Sequence, residues 1–370
     1  MHGRALPPGV AASLTLLRVR GIPVRLHVTL LLALPLFAYL MAAAYFTPAG
    51  AAPDAQAWAW GALLAVGLFA SVLLHELAHS LAALRFGVAV RDITLLPVGG
   101  VSAFRRMPRE PAAELWITFV GPLTNLVLAA PLLAAWALGL VPDAGWSRFV
   151  EWLGWTNLSL GLFNLLLPAF PMDGGRLVRA LLARRMGLAR ATHVAAGIGR
   201  GVALLLGLGA LLLGNLLLVL VAIFVFSGAS AEEHATVLVE ALAAYRAGDL
   251  AARIEPLEPD AAARDAIARM RAERRLALPV ARDGRPVGFA RLEALAHAPP
   301  GSPVEAHVAA APVVPADLPA SQAAETISQE RSPALVVDAQ GRLAGVLTGE
   351  DLERAAAIEE ILSPPTAPRT

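Results

Sequence analysis

Residues 72–84 read VLLHELAHSLAAL. All but His75, Glu76, His79 and Ser80 are Val, Leu or Ala, so two imidazoles and a carboxylate stand in a segment suited to oil. The surroundings are of the same kind. The 370-residue chain is 57% hydrophobic and 16% charged, against about 25% charged in soluble domains. Residues 1–230 hold eight acids, namely Asp54, Glu76, Asp92, Glu110, Glu114, Asp143, Glu151 and Asp173, and beyond about residue 231 the charge becomes ordinary. The fold this predicts is an α-helical polytopic membrane domain over residues 1–230 with about six transmembrane helices. A linker helix over 231–247 and a soluble α/β domain over 248–370 follow it.

Spans of about 20 apolar residues are expected near 26–46, 57–84, 114–140 and 149–170, and residues 191–229 are read as two short spans broken around Gly214 and Asn215, with one long span as the alternative. Arginines set the orientation. Arg4, Arg18, Arg20 and Arg25 precede the first span. Arg85, Arg91, Arg105, Arg106 and Arg109 follow the second, and Arg176, Arg179, Arg184, Arg185 and Arg190 follow the fourth. The intervening connections hold at most Arg148. This alternation places the N-terminus and the tail in the cytoplasm. Trp58, Trp60, Trp146, Trp152 and Trp155 fall near the opposite boundary, as interfacial anchors do. The N-terminal VAASLTLL is too short for a signal peptide and its arginines lead into a longer apolar run. The chain has no Cys, hence no disulfide or thiolate ligand. All thirty basic residues are Arg, which excludes a catalytic lysine and, with the Ala richness, suggests a GC-rich bacterial genome. A net charge of +1 gives no sign of a nucleic-acid partner.

On a helix, His75 and His79 lie one turn apart on one face and can hold one Zn²⁺ at about 2.0–2.1 Å. Glu76 then stands where a carboxylate can take a proton from a water on the ion, the HExxH arrangement. The plain alternative is a chance spacing, but ionisable residues within a span are costly and point to function. A third ligand is needed at similar depth. Asp173, in FPMDGGR between Pro168, Pro171 and Gly174, Gly175, sits where the helix must break; it could also be a simple turn. His27, Asp92, Glu110 and Glu114 are rivals at that depth.

HELAH (75–79), GPLTN (121–125) and NLLLPAFPMDGGR (164–176), in this order, resemble the site-2 protease family of intramembrane zinc metalloproteases. The resemblance covers residues 1–230. It implies one Zn²⁺ on His75, His79 and Asp173, with Glu76 as catalytic acid/base. It implies cleavage of transmembrane segments of membrane-anchored protein substrates, near the cytoplasmic face of the cell membrane. Asn164 resembles a family asparagine that holds substrate backbone or the oxyanion. Here one extra residue separates it from Pro168, which turns a helical side chain by about 100°. Asn125 is a second candidate for that role, or hydrogen-bonds across helices beside a close approach at Gly121. RDITLLPVGGVSAF (91–104) resembles a re-entrant sheet element able to pair with unwound substrate, with an ordinary loop as the alternative.

The tail repeats itself. RRLALPVARDGRPVGFARLEAL (274–295) parallels RSPALVVDAQGRLAGVLTGEDL (331–352), each reading strand, Asp/Gly turn, strand, helix. This resembles a tandem pair of CBS modules, which in other proteins bind adenine nucleotides. The resemblance implies one site for ATP, ADP or AMP at Thr348 and Asp351; the first copy has Arg291 and Ala294 there. A structural or homodimerising tail is the alternative. The function expected is thus an intramembrane zinc endopeptidase in the lipid bilayer of a plasma membrane. A non-proteolytic transporter or receptor gated by its CBS pair is the competing class, and it leaves Glu76 without a purpose.

Overall fold

The computed structural model describes residues 13–104 and 110–362, which fall into two units, Met1–Glu233 and His234–Thr370. Arg4, Arg105, Arg106 and Arg109, counted in the charge reading, lie outside the described residues.

The first unit opens with strands β1 (Ser13–Val19) and β2 (Ile22–His27), where only an arginine-rich flank was expected. Alternation on β2 explains them: Ile22 and Val24 are buried with Ile93, against Leu73, Leu77 and Leu84, while Pro23 and Arg25 face the other way. Strands β3 (Val90–Leu96) and β4 (Gly99–Phe104) complete a sheet ordered β1-β2-β3-β4. Only β2 and β3 run parallel, pairing Val24 with Ile93 and Leu26 with Leu95. Residues 91–104 are therefore a hairpin rather than a loop, with β4 as an edge strand.

Six long helices follow in chain order: α1 (Val28–Met41, continued by a wider turn to Phe46), α2 (Ala55–Arg85), α3 (Pro111–Ala137), α4 (Ala144–Leu166), α6 (Leu188–Leu212) and α7 (Leu216–Ala241), with the shorter α5 (Asp173–Met186) between α4 and α6. Among the described residues, five are long and apolar enough to cross a membrane. The exception, α4, has 23 residues but carries Arg148, Glu151, Asn157 and Asn164. At 31 residues, α2 reaches about 46 Å, beyond the roughly 30 Å of hydrocarbon. Asp54 and Asp143 cap α2 and α4 by accepting the amides of Ala57 and Trp146 at 2.7 and 2.9 Å. These two ends lie side by side, with Trp60 edge-on to Trp146 at 5.0 Å. Tyr45 lies against Trp152 and Phe46 against Trp60 in the same aromatic belt.

The 191–229 run breaks at Gly214 (φ +64°), and Asn215 restarts the helix by accepting the Leu218 amide. The two helices are not short, however, at 25 and 26 residues. Helix α6 begins before the apolar run, and helix-forming SAEEHATVLVEA carries α7 past its end. Residues 231–241 thus belong to α7, and a 3₁₀ turn at Leu242–Ala244 replaces the rest of the expected linker helix.

The second unit is built twice on one plan. α9 (Ala263–Ala272), β5 (Ala277–Arg282), β6 (Arg285–Arg291) and α10 (Leu292–Ala296) follow the short α8 (Ala247–Leu250), and β7 (Val308–Ala309) completes a sheet β5-β6-β7. Then β8 (Val313–Pro315), α11 (Ala320–Glu330), β9 (Ala334–Val337), β10 (Leu343–Leu347) and α12 (Gly349–Leu362) form the second sheet, β10-β9-β8. Each half has its own core, around Met270, Leu278 and Val280 in the first and Leu242, Val336 and Leu347 in the second. Both hairpins turn on the expected Asp and Gly. Asp283-Gly284 has positive φ at both positions. Asp338 accepts the Arg342 and Gln340 amides, which hold its carboxyl below its ordinary pKa.

Candidate metal centre

Helix α2 presents His75 and His79 on one face, both buried, with ring planes 84° apart. Their Nε2 atoms are 3.0 Å apart. Asp173 Oδ2 completes the triangle at 3.1 Å from His75 and 3.3 Å from His79. Atoms bound to one zinc at the corners of a tetrahedron stand about 3.3 Å apart. Among the described residues this is the one group of His and carboxylate atoms close enough to share an ion.

The break between α4 and α5 delivers Asp173. Pro168 ends α4 and Pro171 follows, so the chain folds back and restarts a helix at Asp173. Gly174 and Gly175 are required by contact: a Cβ on either would lie 2.2 Å from Leu167 O or 2.5 Å from Phe170 N. Two turns along α5, the Arg179 guanidinium is buried and donates to Glu114 of α3 and Glu232 of α7. This ion cluster pins the helix that carries the carboxylate.

Both imidazoles are held from behind. His79 Nδ1 donates to the Ile117 carbonyl at 2.7 Å, and His75 Nδ1 to Asn125 Oδ1 at 2.6 Å. Asn125 Nδ2 donates to Asn157 Oδ1 at 3.0 Å. Each Nδ1 thus carries the proton, and two Nε2 lone pairs meet a carboxylate oxygen. That donor set suits a divalent cation, and the metal fits these residues. Helix α3 lies directly on the rings because residue 121 is Gly, where a Cβ would sit 2.2 Å from His79 Nε2.

Glu76 faces the sheet. Its Oε2 accepts from Ser102 Oγ of β4 at 2.6 Å, and Ser102 also meets Ser80 at 3.2 Å. A Cβ on Gly100 would lie 2.4 Å from Glu76 Cγ, so the glycines of the hairpin admit the carboxylate.

Of the rivals to Asp173, none reaches the histidines. His27 caps α1, Asp92 pairs with Arg91 at 2.8 Å, Glu114 is spent on Arg179 and Glu110 precedes α3. Asn125, the second candidate for a substrate or oxyanion role, hydrogen-bonds across helices. It is fully buried, with its oxygen on His75 and its nitrogen on Asn157. Asn164 lies two turns beyond Asn157 on the same face of α4, half-buried and outside this network. Ser71, Asn157, Ser102 and Arg179 were not singled out from the sequence. Only Asn157 offered a signal, as an amide in an apolar helix between Gly154 and Gly161. In the tail, Thr348 and Asp351 cap the start of α12 reciprocally: Thr348 Oγ1 donates to Asp351 Oδ2 at 2.6 Å and accepts the Asp351 amide at 3.2 Å.

The model of peptidase family M50 matches residues 63–141 and 134–208, and that of the CBS domain matches residues 307–358. Zinc metalloprotease MJ0392 of Methanocaldococcus jannaschii is 38% identical over 222 residues, 60% of this chain and 61% of its own. Putative zinc metalloprotease YwhC of Bacillus subtilis is 30% identical over 157 residues, 32% of this chain and 68% of its own. The solved site-2 protease from Methanocaldococcus jannaschii is 38% identical, covering 60% of this chain and 95% of that one with a TM-score of 0.45. The chain spans about three fifths of the length of MJ0392. Motif, metal geometry and sequence identity agree: the chain belongs to peptidase family M50, the site-2 proteases, and carries a C-terminal CBS domain.

Proposed function

We propose that the protein is a zinc endopeptidase that cleaves transmembrane segments of membrane-anchored proteins. The observation that carries this reading is the triangle of His75 Nε2, His79 Nε2 and Asp173 Oδ2, with sides of 3.0–3.3 Å and both Nδ1 protons already committed. Held by His75, His79 and Asp173, a Zn²⁺ would supply Lewis-acid polarisation of a peptide carbonyl and would acidify a water. Glu76 is the base that would take a proton from the attacking water and return it to the leaving amine, while Ser102 on Oε2 fixes the carboxylate. The open edge of β4 offers backbone groups to an unwound substrate strand. Asn164 is the remaining side chain for holding substrate backbone or the oxyanion.

The protein sits in a cell membrane with its N-terminus, the connections 85–113 and 176–190, and its tail in the cytoplasm. The two tail repeats form a CBS pair. One adenine nucleotide binds at Thr348 and Asp351, which exchange their mutual capping bonds for phosphate and ribose contacts.

Zinc content and cleavage of a panel of transmembrane peptides by the purified protein test the catalytic reading. Glu76→Gln keeps about one zinc per chain and loses cleavage, since an amide is nearly isosteric but takes no proton. Asp173→Ala loses both. Retained cleavage by Glu76→Gln rules out its role as base, and a wild-type chain without stoichiometric zinc rules out the site.

A further inference from the structure

Asn157 lies on α4, one residue removed from the imidazole that Asn125 touches, and it is buried to 1% exposure. Its amide is completely used. Nδ2 donates to the Leu153 carbonyl at 2.9 Å and to Ser71 Oγ at 3.0 Å, while Oδ1 accepts from Asn125. The recipients of its protons favour this direction, and the Leu153 carbonyl imposes it. A carbonyl has no hydrogen to give, and the Ser71 hydroxyl already donates to the Gly67 carbonyl at 2.9 Å. Turning the Asn157 amide over would set its oxygen against the Leu153 oxygen.

The consequence runs through the row. Because Asn157 must offer oxygen to Asn125, Asn125 must answer with nitrogen and turn its own oxygen to His75. His75 must then hold its proton on Nδ1, leaving Nε2 bare toward His79 and Asp173. We propose that Asn157 is a positioning residue for the metal centre: its direction-locked amide fixes the tautomer of His75, so that the ring meets the ion with a lone pair. Without it, Asn125 turns freely and can offer its amide nitrogen to His75 Nδ1, which places the proton on Nε2 where the metal must bind. His79 needs no such relay, since the Ile117 carbonyl accepts from it directly. The inference rests on the metal-site reading above and adds the residue that orients it.

The experiment is a chelator-competition titration of zinc on the full-length chain in detergent, with thermal unfolding of the metal-free protein alongside. Asn157→Leu keeps the fold and binds zinc about 10–100-fold more weakly, the usual loss when a group behind a ligand is removed. The double variant Asn125→Asp with Asn157→Leu recovers most of that affinity. Both oxygens of an aspartate accept, so His75 Nδ1–H finds an acceptor whichever way the carboxylate turns. Asn157→Ala serves the same comparison if Leu overfills the space. Wild-type zinc affinity in the folded single variants overturns the proposal. So does a loss that the added Asn125→Asp change does not repair, which marks Asn157 as packing alone. Failure of both single variants to fold overturns it in the same sense. If the wild-type chain binds no zinc, the metal-site reading itself falls.

Discussion

Gly121 has the tightest tolerance at the centre. The atom an alanine would add there falls 2.2 Å from His79 Nε2 and 2.8 Å from His75 Nε2. Helix α3 cannot step back to make room, because Asn125 and the Ile117 carbonyl on the same helix hold the two rings. Gly121→Ala is therefore expected to push the rings out of register. Zinc content falls well below one per chain, while the apo protein still inserts and unfolds near the wild-type temperature. Wild-type zinc stoichiometry in that variant would show that α3 yields. Gly100 plays the same part for Glu76 from the sheet side. Replacing either glycine adds only a methyl group, so an effect on zinc or on catalysis reads geometry rather than charge.

Helix α5 is the element that joins local chemistry to the rest of the membrane unit. Its first residue is Asp173, and Arg179, on its buried face, is held by Glu114 and Glu232. The three groups come from three helices, so the cluster fixes where α5 lies between α3 and α7. Breaking a buried ion group by removing one member costs about 3–5 kcal/mol, since charge is left unpaired. Arg179→Leu takes the cation away from the buried Glu114 and from Glu232, and is expected to lower the thermal midpoint in detergent and weaken zinc binding together. Adding Glu114→Gln and Glu232→Gln removes the excess negative charge and recovers most of the midpoint. Zinc affinity stays reduced, because α5 is no longer clamped. Full recovery of zinc affinity in the triple variant would show that the cluster supplies stability only.

At the scale of the whole chain, arginine asymmetry and six long helices predict one topology. Reporter fusions at residues 50, 100, 145, 185 and 240 should read out, in, out, in, in. An outside signal at 240 would contradict α6 and α7 as two crossings. The break at Gly214 and Asn215 is what allows the chain to return, and deleting those two residues should merge the helices and invert the tail. For the tail, calorimetry of the full chain with ATP, ADP and AMP is expected to show one site, abolished by Asp351→Ala. No heat at millimolar nucleotide would leave Thr348 and Asp351 as a helix cap.

Much of this was legible along the chain. Apolar runs marked the long helices, the i, i+4 spacing put His75 and His79 on one face, and the prolines and glycines around Asp173 announced a break. Asp-Gly turns marked the tail hairpins. These signals are local: each depends on residues within a turn or two of one another. The strands at 13–27 were missed because five residues of β1 are exposed and mark no buried face, and the alternation of β2 is only six residues long. The residues alone left five candidates at the depth of the third corner, the family resemblance pointed to Asp173, and the tertiary structure brought that side chain to both histidines. It also turned Asn125 toward His75, set Ser102 against Glu76 and placed Asn157 behind them. Those contacts join residues 50, 26 and 32 positions apart. An amide or hydroxyl carries no mark in the sequence of which distant partner it will meet. The direction of a hydrogen bond, and with it the tautomer of His75, exists only once the helices have packed.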